Sequence, residues 1–313
     1  MTLTIQPRIA RLPGRSLIML DGADALRFLD GLVSGDLDPV EEGRARYGAL
    51  LTPQGKILHD LIVAPADPAA GAERLLVECA APLAGDLVKR LTLYKLRAKV
   101  TIRPATGLVV AVAFGSGAAA ALSVDDAPGS VRATGGDVAE GGVLQVTDPR
   151  RAGLGVRLWG SDQAVADRAA AAGLASAEAA DWDLWRIEAR VPEGPADLPP
   201  EQGLALEHDL DRLNGVAFDK GCYVGQEVTT RSKFRGQVRK RLFVVDTADG
   251  ARLPPPGTPV MAGERAAGDL RSSVGGTGIA LLRIDRTDEA AAGSGPVLTA
   301  DGITLAARPR GDD

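Results

Sequence analysis

Lys220-Gly221-Cys222-Tyr223-Val224-Gly225-Gln226-Glu227 places a cysteine next but one to a lysine and between two glycines, and the fold and chemistry of this chain turn on how that stretch is read. A thiol attacks carbon or ligates metal as the thiolate, and a neighbouring cation such as Lys220 lowers the cost of that charge. Glycine accepts positive φ and close backbone approach, so Gly221 and Gly225 permit a tight exposed turn around Cys222. Free cysteine is also among the most buried residue types. A buried cysteine in a glycine-bounded strand therefore fits the same letters, and from the residues alone both readings stand open.

Downstream, Arg231, Lys233, Arg235, Arg239, Lys240 and Arg241 form a dense basic run. Such a run can hold an anionic ligand tail, an acidic protein partner or RNA phosphates, and it keeps the potential around Cys222 positive. The alternation of Lys233, Arg235, Gln237 and Arg239 predicts one face of a strand, where lysine and arginine equally serve to discourage edge-to-edge pairing. The other cysteine, Cys79, lies far off with no CxxC pairing, and His59 and His208 are the two histidines. Neither a disulfide framework, nor a self-contained zinc or iron-sulfur site, nor a histidine-built metal centre is expected.

Upstream, Leu26, Leu29 and Val33 share one helical face between Asp24 and Val33, and Gly31 and Gly35 mark its end. Tyr47 to Leu51 and Ile57 to Val63 read as strands flanking Thr52-Pro53-Gln54-Gly55, where Pro53 presets the first turn dihedral and Gly55 suits the last corner. Leu75 to Cys79 reads as a strand; Leu83, Leu87, Leu91 and Tyr94 recur at helical spacing, and Val100 to Ile102 returns to extended chain. This alternation predicts an α+β lobe. A second set comprises strands at Leu108 to Phe114, Val143 to Val146 and Leu154 to Leu158, with helices over 162 to 172 and 178 to 190. The Ala- and Gly-rich stretch 115 to 142 reads as a loop with little capacity to form core. Beyond Cys222 short strands are predicted at Leu242 to Val245, Pro259 to Met261, Ser272 to Val274, Gly278 to Ile284 and Val297 to Leu305, making the last part all-β.

At 313 residues the chain exceeds one ordinary core, so two or three units are expected. Its 45% hydrophobic and 25% charged residues are ordinary for a folded protein, and a formal charge of -5 argues against nucleic-acid binding by the whole surface. No run approaches the ~20 apolar residues of a membrane span. The first residues lack an apolar block with a cleavage site, and the expected setting is cytoplasmic, with no membrane contact.

KGCYVGQE together with TTRSKFRGQVRKRL over 229–242 closely resembles the signature of the YgfZ family, which includes bacterial YgfZ and a mitochondrial factor acting late in building four-iron clusters. Further matching pieces follow in order: GADALRFLDGLVSGDL (22–37), TPQGKILHD (52–60), LYKLRAKVTI (93–102), WRIEARVPEG (185–194) and AGDLRSSVGGTGIALLRID (267–285). The resemblance implies kinship with the T-protein of glycine cleavage. The expected fold is α+β: a ring of two ferredoxin-like α+β lobes plus a C-terminal all-β barrel, divided at 1–105, 106–235 and 236–313.

It implies a tetrahydrofolate pocket, with Glu188 of Arg186-Ile187-Glu188-Ala189-Arg190 on the pterin, since a carboxylate accepts two hydrogen bonds from adjacent N–H groups. Tyr94 and Trp185, with Trp182, are candidates to line that pocket, and Arg231 and Arg239 to meet the folate tail. Arg190 stands where the wider family often has glycine. Asp86 lies where the T-protein uses an aspartate, although an acidic residue in a first helical turn is explained by the helix dipole alone. The function implied is an accessory factor for assembly or repair of iron-sulfur clusters, more a non-catalytic assembly factor than an enzyme. Cys222 would be a shared or transient cluster ligand within a motif that also holds Gly221, Tyr223, Gly225, Gln226 and Glu227. The partners implied are A-type iron-sulfur carrier proteins and four-iron client enzymes. A tetrahydrofolate-dependent aminomethyltransferase and a tRNA-modification factor contacting tRNA are the alternatives.

Overall fold

A computed structural model describes residues 5–236 and 238–310. The chain runs through β1 (Arg8–Arg11), β2 (Arg15–Asp21), α1 (Ala25–Asp30), β3 (Arg46–Leu51), β4 (Ile57–Asp67), β5 (Gly71–Ala80), α2 (Ala84–Tyr94) and β6 (Thr101–Pro104). Five of these strands form an antiparallel sheet in the order β3-β4-β5-β2-β6. β4 is buried along nearly its whole length because both faces are covered. Leu58, Leu61 and Val63 face a core with Leu26 and Leu29 of α1 and Leu87 and Leu91 of α2. Ile57, Ile62, Ala64 and Ala66 face a second core shared with the other lobe. A register shift where β4 passes Leu50 and Leu51 flips the alternation once, and on either side of it the period of two lets one hydrophobic run serve two cores.

The chain continues through β7 (Val109–Phe114), α3 (Ala118–Ala121), β8 (Val131–Thr134), β9 (Val143–Thr147), β10 (Val156–Gly160), α4 (Asp162–Ala171), β11 (Ala175–Ala177), α5 (Ala179–Glu188) and α6 (Gly194–Asp197). The second sheet has the order β11-β1-β7-β10-β9-β8. β1 pairs antiparallel with β7 and parallel with β11, so the first strand belongs to the second lobe's sheet and the chain crosses the expected division at 105. α4 starts where the Ser161 side chain accepts from Ala164 N at 3.2 Å, and α5 starts with a capping box of Glu178 and Asp181. After α7 (Gln226–Phe234) come β12 (Lys240–Thr247), β13 (Pro259–Ala262), β14 (Arg265–Val274), β15 (Thr277–Arg283), α8 (Ile284–Ala291), β16 (Leu298–Ala300) and β17 (Ile303–Ala307). These strands close into a barrel, β12-β15-β14-β13-β16-β17, around Phe243, Val245, Val260, Leu270, Leu282 and Leu298. Closure removes both sheet edges.

Three segments differ from the sequence reading. The stretch 115–142 contains α3 and β8, and Ala118, Ala119 and Leu122 pack on Ala111 and Ala113. Small side chains bring that helix close to the sheet, so low residue volume there serves packing. The predicted strand face at 233–239 is not formed: Lys233 lies in helix α7 and Arg235 caps it, while Gln237 lies outside the described residues. The stretch Val297 to Leu305 is two strands joined at Asp301-Gly302, and α8 interrupts the all-β region.

Candidate functional site

The motif around Cys222 is held against the first lobe by three contacts. The Lys220 ammonium reaches the Asp30 carboxylate at 2.5 Å and the backbone oxygens of Asp30 at 2.8 Å, Val33 at 3.3 Å and Gly35 at 2.8 Å. The C-terminal carbonyls of α1 point where a cation is favoured. Further upstream, the Ser34 hydroxyl donates to Gly215 O at 2.6 Å, and Ala217 N donates to Ser34 O at 2.8 Å. Gly225, at φ +85°, precedes α7 and lies so near the 52–55 turn that a Cβ would come 2.6 Å from Thr52 O. Gly55, at φ +74°, faces Val228 of α7 in return. The two glycine-bearing motifs are therefore two halves of one contact.

Between these anchors Cys222 is exposed, whereas Cys79 is buried. Tyr223 is buried in the core shared by the lobes, with the Lys220 ammonium 5.8 Å from its ring centroid, and burial pushes its phenol up to about 12. Gly221 has open space where a Cβ would lie, so Gly225 alone of the pair requires glycine. Gln226 and Glu227 open α7, and Glu227 places a carboxylate at the positive end of the helix. The charge of Lys220 is matched by four oxygens of the α1 region, so it positions the loop. Alongside the loop, a cavity of about 360 Å³ is lined by Asp36, Arg46, Tyr47, Asn214, Val216 and Asp219, among others.

Of the residues that the resemblance assigns to folate, Trp185 and Glu188 lie one turn apart on α5, Tyr94 ends α2, and Arg231 and Arg239 lie on α7 and just after it. Both oxygens of Glu188 accept from Arg308, one of them at 3.1 Å, and Arg308 also donates to Asp246 of β12. Tyr94 is 42% exposed at the end of α2. Trp185 donates its indole N–H to Leu154 O at 2.8 Å and packs on Phe114. Arg231 lies exposed on α7 and Arg239 exposed just before β12. None of the five lines the cavity alongside the loop. Glu188 is paired with Arg308 in this conformation, so a pterin on that carboxylate would have to displace the guanidinium. Asp86 accepts from Arg90 at 2.6 Å and lies 2.9 Å from His59 Nε2, consistent with a helix-start carboxylate held by neighbours.

Sequence reading missed the charged network between the lobes. Arg15 donates to Asp60 at 2.9 Å and to Glu78 at 2.8 Å; Trp159 donates to Glu78 at 2.8 Å. Arg157 pairs with Glu78, Asp148 and Glu193, and Arg150 binds Asp148 at 2.7 Å and Glu193 at 3.0 Å. Its arginines hold Glu193 well below the usual carboxylate range against the opposing effect of burial. A lone charge in such a core would cost several kcal/mol, and only mutual pairing makes it tolerable. The signal available in sequence was polar residues within apolar strands, Arg15, Glu78 and Arg157.

Two mixed lobes and a closed barrel define the aminomethyltransferase class of fold. The glycine cleavage system aminomethyltransferase T from Bartonella henselae superposes with a TM-score of 0.77, covering 98% of this chain and 86% of that one, at 15% identity. Residues 239–311 match the family described as CAF17, C-terminal beta-barrel domain. The chain is 35% identical over 285 residues to the mitochondrial iron-sulfur cluster assembly factor IBA57 of Homo sapiens, covering 87% of this chain and 76% of the relative. The Mus musculus protein of the same name is 36% identical over 291 residues, with the same coverage of 87% and 76%. The Neurospora crassa homolog is 32% identical over 240 residues, 75% of this chain and 52% of the relative. The chain belongs to the YgfZ-like family that contains the IBA57 proteins.

Proposed function

We propose that this protein is an accessory factor for the assembly or repair of iron-sulfur clusters, in which Cys222 supplies one thiolate to a cluster in transit. The observation that carries the reading is an exposed thiol on a loop anchored at both ends, in a family whose curated relatives are named as iron-sulfur cluster assembly factors. One cysteine cannot complete the four-thiolate ligation usual for such clusters. The cluster is therefore shared with a partner, which we take to be an A-type carrier, and it passes on to a four-iron client enzyme. Among the described residues no helix is long and apolar enough to cross a membrane.

The test is anaerobic reconstitution with a carrier protein, followed by cluster spectroscopy, beside complementation of a deletion strain scored by activity of a four-iron dehydratase. Cys222→Ser is expected to fold normally and to fail in both assays; full rescue by that variant would remove the thiol from the function. Tetrahydrofolate remains a proposed ligand on the strength of the fold alone, at residues other than the five named above. Calorimetric titration with tetrahydrofolate should then give the same affinity for Glu188→Ala as for the unaltered protein, and weakened binding would restore Glu188 to the pterin.

A further inference from the structure

A second cavity, of about 260 Å³, lies where the second lobe, the 209–214 segment and the end of the barrel meet. Arg150, Arg151, Arg190, Arg212 and Arg310 line it, with Asp209 as the one carboxylate among the described lining residues. Five guanidinium groups converging in a chain of net charge -5 are not background composition. Arg150, Arg190 and Arg310 are engaged, Arg150 by Asp148 and Glu193 and Arg310 by Asp209 at 2.9 Å. Arg151 gives one N–H to Ala189 O. Arg212, exposed at the rim, makes no side-chain hydrogen bond or ion pair among the described residues. The lining contains no aromatic ring and a single leucine, which disfavours a planar heterocycle or an apolar ligand.

Backbone geometry points to the same place. Seven non-glycine residues among those described have positive φ, and three of them, Arg190 (φ 57°), Asp209 (φ 59°) and Asn214 (φ 58°), line this cavity. Aspartate and asparagine tolerate that region; arginine does so only at a cost that glycine would avoid. Backbone held in such regions clusters at ligand sites.

We propose that this junction is a binding site for a small oxyanion, phosphate- or carboxylate-bearing, gripped by guanidinium forks from the second lobe, the 209–214 segment and the end of the barrel. Arginine presents paired N–H groups that match both oxyanion types, and the volume lies just under the range of drug-sized pockets, which fits a compact ligand. The site is separate from Cys222 and does not rest on the proposed function. The test is calorimetry on the full-length protein with pyrophosphate and, separately, citrate, each against potassium chloride at matched ionic strength. Saturable binding of at least one probe is expected, and which probe binds tells phosphate from carboxylate. Arg151→Ala and Arg212→Ala, both at exposed positions, should fold. A loss of affinity of about tenfold or more in either, the effect of one charge-assisted hydrogen bond, supports the site. No binding beyond the chloride control, or undiminished affinity in both variants, would overturn it.

Discussion

At the scale of single residues, Cys222 and Cys79 carry the same thiol in opposite surroundings. Burial pushes the Cys79 thiol up to about 12, so it stays protonated and shielded at neutral pH, while Cys222 is open to solvent. A colorimetric thiol titration should therefore count one fast-reacting sulfur in the native protein and two in denaturant; two fast thiols before unfolding would contradict the burial of Cys79. Lys220→Met removes an ammonium held by four oxygens and leaves the Asp30 carboxylate without its counter-charge, at an expected cost of about 1–3 kcal/mol. Urea denaturation measures that loss, and alkylation of Cys222 should quicken as its loop loosens. Gly225→Ala meets both a left-handed backbone and the Thr52 carbonyl, so a lowered melting temperature is expected from a cost of about 1–2 kcal/mol for the backbone alone.

At the scale of elements, α7 shows why the basic run was misread. Its residues are polar around nearly the whole helix, with Thr229 as the one buried side chain, so no apolar stripe of helical period marks it. What makes it helical is tertiary: Gly225 turns the chain against the 52–55 hairpin, and α7 starts from that contact. The hairpin itself was legible, because Pro53 and Gly55 act through local dihedrals. Arg308 shows an element-level tie, joining Glu188 of α5 to Asp246 of β12 from a partly exposed position. Arg308→Ala should cost about 1 kcal/mol or less, and the difference should shrink in high salt, because solvent screens such pairs. A large, salt-independent loss in thermal unfolding would show that the barrel docks on α5 mainly through this side chain.

At the scale of the whole molecule, the lobes are joined through a core that holds both apolar side chains and the Arg15, Glu78, Arg157, Asp148, Arg150 and Glu193 network. Glu78→Gln leaves Arg15 and Arg157 short of charge in that core, and a loss of about 3–5 kcal/mol in chemical denaturation is expected. His208, fully buried beside Gly203, has its imidazole lowered to about 4 by burial. Its proton is taken up by the unfolded chain near pH 6.5 and by the folded chain only near pH 4. Its contribution is therefore complete above pH 6.5 and falls as pH drops toward 4, by roughly 3 kcal/mol at about 1.4 kcal/mol per pH unit. His208→Gln should flatten the stability profile across that window, and an unchanged slope would deny the burial effect. The sequence by itself determined the family, the order of most strands and helices and the barrel, because turn dihedrals, hydrophobic period and motif spacing act over short stretches of chain. Only the tertiary structure decided that Lys220 is an anchor, that Glu188 belongs to Arg308, and that the first strand joins the second lobe. Those outcomes depend on which charges and backbone oxygens meet across more than a hundred residues, and no local pattern encodes such a meeting.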